Sequence, residues 1–361
     1  MSSSLPATPP AAAVDPGRSD LPVLDLAALH DGDGHPNARR FRAGLLNACR
    51  TEGFFHLTGL GLRDGLVDEL RATARAFFDL PEQDKRAIEM VRSPHFRGWT
   101  RLGGEQTLGH QDWREQIDIG AERPVRPATA DEPWNVLEGP NQWPQALPQL
   151  ADVVARWQYE LERIARILVR QFALVLGQPP GAFEEAFARP STLLKIVRYP
   201  GRSPADDPER QGVGAHKDSG FLTLVYAEPG SRGLQVWRDG RWFDVGPIEG
   251  ALIVNIGELL ELASDGLLTA TTHRVISPLP GTTRISVPYF FNPALGTLLG
   301  RLTLPQDLAV QAGGPTEDAG NVLYDRYGLN ALKSRLRAHP DVAQRHHPEL
   351  VAAHGFTGGA R

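Results

Sequence analysis

The sequence predicts an α+β fold that is mainly β in its core: a double-stranded β-helix, or jelly roll, with an N-terminal helical extension and one long bracing helix. Three observations predict it. From Thr192 onward the pattern changes to about eight short apolar and β-branched runs separated by turn residues, as a jelly roll requires. Residues 147–176 carry apolar side chains at helical spacing. Before residue 145, strand-like and amphipathic stretches alternate.

Taken in order, residues 1–20 are rich in Ser, Pro and Ala and read as a disordered tail. Residues 21–26 give a short strand. Residues 37–52 give a helix with Phe41, Leu45, Leu46 and Cys49 on one face, and residues 53–58 a second strand. Asp64 can cap a helix running to residue 78, and Pro81 starts a short one after it. Residues 93–126 are irregular and polar. The long helix places Leu150, Val153, Val154, Trp157, Leu161, Ile164, Leu168, Phe172 and Val175 on one stripe, and Gly177 with Pro179-Pro180 stops it. At 1.5 Å per residue it would be roughly 45 Å long, enough to brace a barrel.

The strands follow at 193–199, 221–227, 233–238, 241–245, 251–256, 273–276 and 284–291, with Asp239-Gly240 as a hairpin turn. The glycine-rich start of Gly212-Val-Gly-Ala-His216 reads as a turn feeding a strand. Residues 324–339 read as a C-terminal helix. The expected organisation is one domain over 21–340, comprising an N-terminal region of about 21–145 and a jelly-roll core of about 190–295. Residues 341–361 are expected as a tail.

Composition narrows the function classes. A formal net charge of −5 implies no nucleic-acid surface. Lysine occurs at 85, 195, 217 and 333 alone, so 34 of the 38 basic residues are arginine, which reads as a GC-rich bacterial genome. The single Cys49 permits no internal disulfide and agrees with a reducing, cytoplasmic location. The start has no basic patch followed by an apolar run, and no apolar stretch is long enough for a membrane span.

The chemistry is concentrated in His216-Lys-Asp218. On an extended chain these two side chains share a face and Lys217 points away. Two donors of a 2-His-1-carboxylate metal site would thus come from three residues, leaving positions open for oxygen chemistry. His273, in Thr-Thr-His-Arg-Val-Ile, is the candidate third ligand. Arg284-Ile-Ser286 follows, again with its two polar side chains on one face; a guanidinium fork beside a hydroxyl suits a carboxylate in a fixed orientation. His110-Gln-Asp112 and His339-Pro-Asp341 also match His-x-Asp. The first has no suitably spaced His and Arg-x-Ser after it, and Pro340 suits a helix end better than a strand. Arg189-Pro-Ser191 precedes every plausible ligand.

The ordered set His216-x-Asp218, His273, Arg284-x-Ser286 resembles that of the iron(II)- and 2-oxoglutarate-dependent oxygenases of the isopenicillin N synthase-like family, over residues 21–340. The resemblance implies that His216, Asp218 and His273 hold Fe(II), that 2-oxoglutarate and O2 are consumed, and that succinate and CO2 leave as a small molecule is hydroxylated or otherwise oxidised. It also implies that the far carboxylate of 2-oxoglutarate meets Arg284, Ser286 and Tyr199, the last in a Tyr-Pro pair. Asp218 separates the chain from related halogenases, which lack this carboxylate. Two alternatives stay open: an isopenicillin N synthase-type oxidase using Fe(II) and O2 without 2-oxoglutarate, and a non-catalytic binding barrel. The expected partner is a small-molecule substrate, such as a secondary metabolite, amino acid or small peptide, with neither nucleic acid nor membrane. Arg97-Gly-Trp99 and Asp112-Trp-Arg-Glu115 can lie at the pocket mouth or form a packed loop with a structural ion pair. The His346-His347 pair is expected at the surface, and Trp237 and Trp242 as packing residues.

Overall fold

The computed structural model describes residues 21–354 except 206, 208 and 317–320. The tail expected over 1–20 lies outside the described residues. The N-terminal region begins with strand β1 (Val23–Asp25), helix α1 (Pro36–Thr51) and strand β2 (Phe54–Thr58), then helices α2 (Leu66–Phe78) and α3 (Glu82–Arg86). The cap of helix α2 falls one residue later than expected: Gly65 is the N-cap, at φ 76°, a left-handed conformation that glycine adopts at little cost. The polar segment is not wholly irregular. It holds β3 (Gly98–Thr100), the small hairpin β4 (Gln106–Thr107) and β5 (His110–Gln111), and the fully buried β6 (Glu115–Gly120).

Helix α4 (Gln149–Val175) is the expected brace, and its buried residues include every position of the predicted stripe. The core strands are β7 (Ser191–Pro200), β8 (Gln211–His216), β9 (Leu222–Ala227), β10 (Leu234–Arg238), β11 (Arg241–Val245), β12 (Leu252–Ile256), β13 (His273–Ile276) and β14 (Thr283–Asn292). Helix α5 (Glu258–Ala263) follows β12, and α6 (Gln306–Ala309), α7 (Tyr327–Ala338), α8 (Pro340–His346) and α9 (Pro348–His354) come last.

These strands make two main sheets, β1-β2-β12-β9-β14-β7-β6-β3 and β11-β10-β13-β8. Alternation along each strand splits the core in two. Ile117, Ile119, Leu194, Ile196, Val287, Tyr289 and Phe291 face the helices and join the stripe of α4. Val197, Tyr199 and Ile253 face inward and meet Val213, Val236 and Val275 of the smaller sheet. The jelly-roll reading therefore holds, with the site between the sheets.

Three expectations need correction. Gly212 to His216 is strand β8 rather than a turn. Its glycines answer to close approach: a Cβ at Gly212 would lie 2.9 Å from the Tyr199 ring, and one at Gly214 3.0 Å from Thr107. The C-terminal tail expected from residue 341 is instead helical through residue 354, and Val342 and Ala343 are buried in the main core. His347 is not a surface residue. It is 5% exposed, its Nε2 bonds the Pro94 carbonyl at 2.6 Å, and its ring stacks on Phe96.

Candidate active site

His216 ends β8 and His273 begins β13. The antiparallel ladder pairs them directly, with ring centroids 4.3 Å apart. Each Nδ1 bonds a backbone carbonyl two residues earlier, Gly214 at 2.8 Å and Thr271 at 3.0 Å. Because a carbonyl only accepts, Nδ1 carries the proton in both rings and Nε2 is left as the ligating atom. Both Nε2 atoms face Asp218 Oδ1, at 3.6 and 3.9 Å. Asp218 lies just past the end of β8, and its other oxygen accepts from Thr223 Oγ1 at 2.6 Å and Asn255 Nδ2 at 2.7 Å. One carboxylate oxygen is thus held and the other freed. The three ligating atoms lie within 4.8 Å of one another, a separation and donor set that fit a divalent iron bound on one face.

Electrostatics agree with that fit. Burial alone would raise Asp218, but the adjacent His216 and His273 imidazoles outweigh it, with help from the Thr223 hydrogen bond, and hold the carboxyl well below the usual range. Burial, reinforced by His216, pushes His273 down to about 4, so this ring is neutral at pH 7. Burial would also lower His216, but Asp218 reverses the sign and raises it.

The second polar group lies on the inner face of the larger sheet. Strand pairing sets Tyr199 opposite Arg284 and Val197 opposite Ser286. Arg284 is 4% exposed; its Nη1 donates to Ser286 Oγ at 3.2 Å, and its guanidinium sits 4.8 Å over the Tyr199 ring. Among the described residues no carboxylate pairs with it, and burial holds its pKa below the ordinary arginine value. A buried cation without a counter-charge is a receptor for an anion, and a dicarboxylic acid fits that vacancy.

The other histidine motifs stay out of this cluster. His110 is exposed on β5. His339 is buried at the end of α7, 3.7 Å from Glu105. Arg189 pairs with Glu138 at 3.1 Å. Lys217 points away from the triad, as expected, and reaches Glu261 at 3.4 Å. Trp237 and Trp242 pack edge to face. The two open segments divide. Arg97 donates to the carbonyls of His95 and Leu137, and Trp99 donates to Glu115, so these serve packing. Asp112 and Arg114 belong to a buried charge network beside the site. In it Arg114 meets Asp112 at 2.9 Å and Glu105 at 3.1 Å, while Lys195 meets Glu105 at 2.8 Å and Asp118 at 3.4 Å. Arg335 of α7 closes the set on Asp118 at 2.7 Å.

Sequence reasoning missed Thr223 and Asn255, the holders of Asp218. Asn255 leaves a signal, one amide inside the apolar run Leu-Ile-Val-Asn-Ile; Thr223 leaves none, being an ordinary strand residue. Lys195 and Arg335 of the network were missed because Glu105 and Asp118 lie 90 and 217 positions from them.

Known proteins are similar to this chain in sequence and fold. Residues 21–146 match the family model described as non-haem dioxygenase in morphine synthesis N-terminal, and residues 191–293 that of the 2OG-Fe(II) oxygenase superfamily. A 2-oxoglutarate-dependent dioxygenase, frbJ, of Dothideomycetidae sp. is 33% identical, covering 92% of this chain and 94% of its own. A homoarginine-6-hydroxylase of Arabidopsis thaliana is 34% identical over 76% of this chain and 77% of its own. The crystal structure of a putative 2OG-Fe(II) oxygenase family protein from Caulobacter crescentus superposes with a TM-score of 0.70 at 25% identity, covering 88% of this chain and 99% of the other.

Proposed function

This chain belongs to the 2OG-Fe(II) oxygenase superfamily, and we propose that His216, Asp218 and His273 hold its iron while Arg284, Ser286 and Tyr199 receive the far carboxylate of 2-oxoglutarate. It is a non-haem Fe(II)- and 2-oxoglutarate-dependent oxygenase that oxidises a small molecule. Iron supplies the oxygen chemistry, coupling loss of CO2 from 2-oxoglutarate, with succinate left behind, to oxidation of the substrate. The protein's part is binding and orientation. Two neutral imidazoles and one carboxylate oxygen bind one face of the metal. Thr223 and Asn255 keep Asp218 from rotating. Arg284 and Ser286 fix the co-substrate at its far end. The observation that carries this assignment is the direction of the triad's free atoms, both Nε2 atoms facing one free carboxylate oxygen.

The substrate is proposed as a small amino acid, peptide or secondary metabolite, the first supported by likeness to a homoarginine hydroxylase. One domain over residues 21–340 is supported by the main core, which draws on both matched regions; the helices ending at residue 354 extend it. No helix among the described residues is long and apolar enough to cross a membrane. A cytoplasmic location rests on the lone buried Cys49, and a bacterial source on the preference for arginine.

The test is anaerobic iron titration followed by succinate release against candidate substrates. One Fe(II) per chain is expected. His216→Ala, Asp218→Ala and His273→Ala should each bind it far more weakly, whereas His110→Ala should bind normally. Iron binding that survives His273→Ala overturns the assignment.

A further inference from the structure

One wholly buried carboxylate, Asp112, touches neither the metal triad nor Arg284, yet one of its hydrogen bonds leads toward the triad. Its Oδ1 accepts from the Gly214 backbone N–H at 3.2 Å and Gln211 Nε2 at 3.1 Å. Its Oδ2 accepts from Thr107 Oγ1 at 2.7 Å and Arg114 Nη2 at 2.9 Å. Gly214 is the residue whose carbonyl accepts the His216 Nδ1 proton, at 2.8 Å. One residue of β8 is therefore gripped on its amide side by a buried carboxylate and on its carbonyl side by the iron ligand. A side chain there would be crowded, since a Cβ would meet Thr107 at 3.0 Å and Gln211 Nε2 at 3.1 Å.

His216 is the last residue of β8, where the ladder's support ends. The register beside it is also irregular: β8 and β13 pair at His216 and His273 but shift before Val213 and Val275. Backbone pairing therefore leaves Gly214 loosely set, and the charge-assisted bond from Asp112 supplies the missing constraint. We propose that Asp112 is a positioning residue for the first iron ligand: it fixes Gly214, and through the Gly214 carbonyl the orientation and tautomer of the His216 ring. This rests on the assignment of His216, Asp218 and His273 to iron. The segment carrying Asp112 is thereby part of the metal centre's support, although none of its atoms reaches the metal.

The experiment uses the full chain, with Fe(II) and Co(II) as probes under anaerobic conditions. Asp112→Asn turns one accepting oxygen into a donor facing donors. Iron affinity should fall about tenfold, the lower end of what loss of an outer partner costs a metal site, and the visible bands of the Co(II) protein should change. Thr107→Val removes one bond from the same carboxylate on the side away from Gly214. It should match wild type in both readouts, whereas a merely structural role would make the two variants alike. Should Asp112→Asn not fold, Asp112→Glu keeps the charge opposite Arg114 while displacing the oxygen from Gly214, and should show the same loss. In the wild-type metal-free protein, the Gly214 amide and the His216 Nδ1 proton should both give slowly exchanging NMR signals. Iron affinity within twofold of wild type with an unchanged Co(II) spectrum, or absence of both protected protons, overturns the proposal. His216→Ala separates the two failures. If it binds iron normally, the iron assignment falls and takes this role with it; if it loses iron while the Asp112 variants bind normally, only the positioning role falls.

Discussion

Replacing Arg284 by glutamine should affect the ligand-free and ligand-bound proteins in opposite senses. In the free protein Arg284 is a cation at 4% exposure whose contacts are a hydroxyl and a tyrosine ring. Burying an unpaired charge costs several kcal/mol, so the glutamine variant should melt at or above the wild-type temperature without 2-oxoglutarate. With it the order should reverse. Losing one member of a buried charge pair costs about 3–5 kcal/mol, and an amide that keeps one hydrogen bond brings this to the lower end, roughly a hundredfold in Kd. At about 100 times the wild-type Kd, 2-oxoglutarate should stabilise the wild type by roughly 2.7 kcal/mol and the variant by about 0.4 kcal/mol. The assay is anaerobic thermal unfolding of the Fe(II) protein with and without 2-oxoglutarate, checked by titrating the visible absorption that the chelated keto acid produces. Iron affinity should stay near wild type, because Arg284 is not a ligand. Equal ligand-dependent stabilisation in both proteins would refute the reasoning.

Lys195→Met should lower the melting temperature by about 4 °C, since roughly 3 kcal/mol is lost when Glu105 and Asp118 give up a shared cation; Arg114 and Arg335 limit the loss. Calorimetry showing no change would mean the network is not energetically coupled. His339 is pushed by burial from 6.5 down to about 4, so the unfolded chain takes up that proton first as pH falls. The stability it contributes is present above about pH 6.5 and lost toward pH 4, and His339→Gln should show a shallower acid limb in urea unfolding over that window. Limited proteolysis should leave one resistant core, because α4 packs against α1, α2 and the sheet alike; two stable fragments split near residue 180 would count against a single domain.

The candidate metal site was more legible in the sequence than its surroundings. His216, Asp218 and His273 could be picked out because a two-residue spacing and an ordered set of motifs are local features, and Arg284 with Ser286 follow the same rule on β14. From residue 191 on, every strand but β8 was found nearly to its ends, since period-2 alternation needs no partner to be visible. The glycines of β8 misled because close approach to Tyr199 and Thr107 has the same sequence mark as a turn. The helices beyond residue 340 were missed because their apolar residues are few; Val342 and Ala343 suffice only with the main core beneath them. Asp112 could be read only as far as an ion pair within its own segment, and Arg335 not at all. A charge is ordinary until its distant partner is known.

The Asp118–Arg335 pair spans 217 residues of chain, and that gap has a meaning for protein synthesis. At about 5–20 residues per second, the ribosome needs roughly 10–40 s to travel from one residue to the other. Lys195 emerges early and lets β6 pair with β7 while one cation neutralises Asp118. The second cation arrives only when α7 leaves the exit tunnel. Until then the nascent barrel carries an under-compensated acidic interior open to water, which marks it as unfinished to any chaperone or protease that samples exposed interiors. A premature stop before Arg335 would leave the proposed metal ligands encoded but Asp118 without its second cation, so quality control can act on α7 rather than on the motifs that precede it.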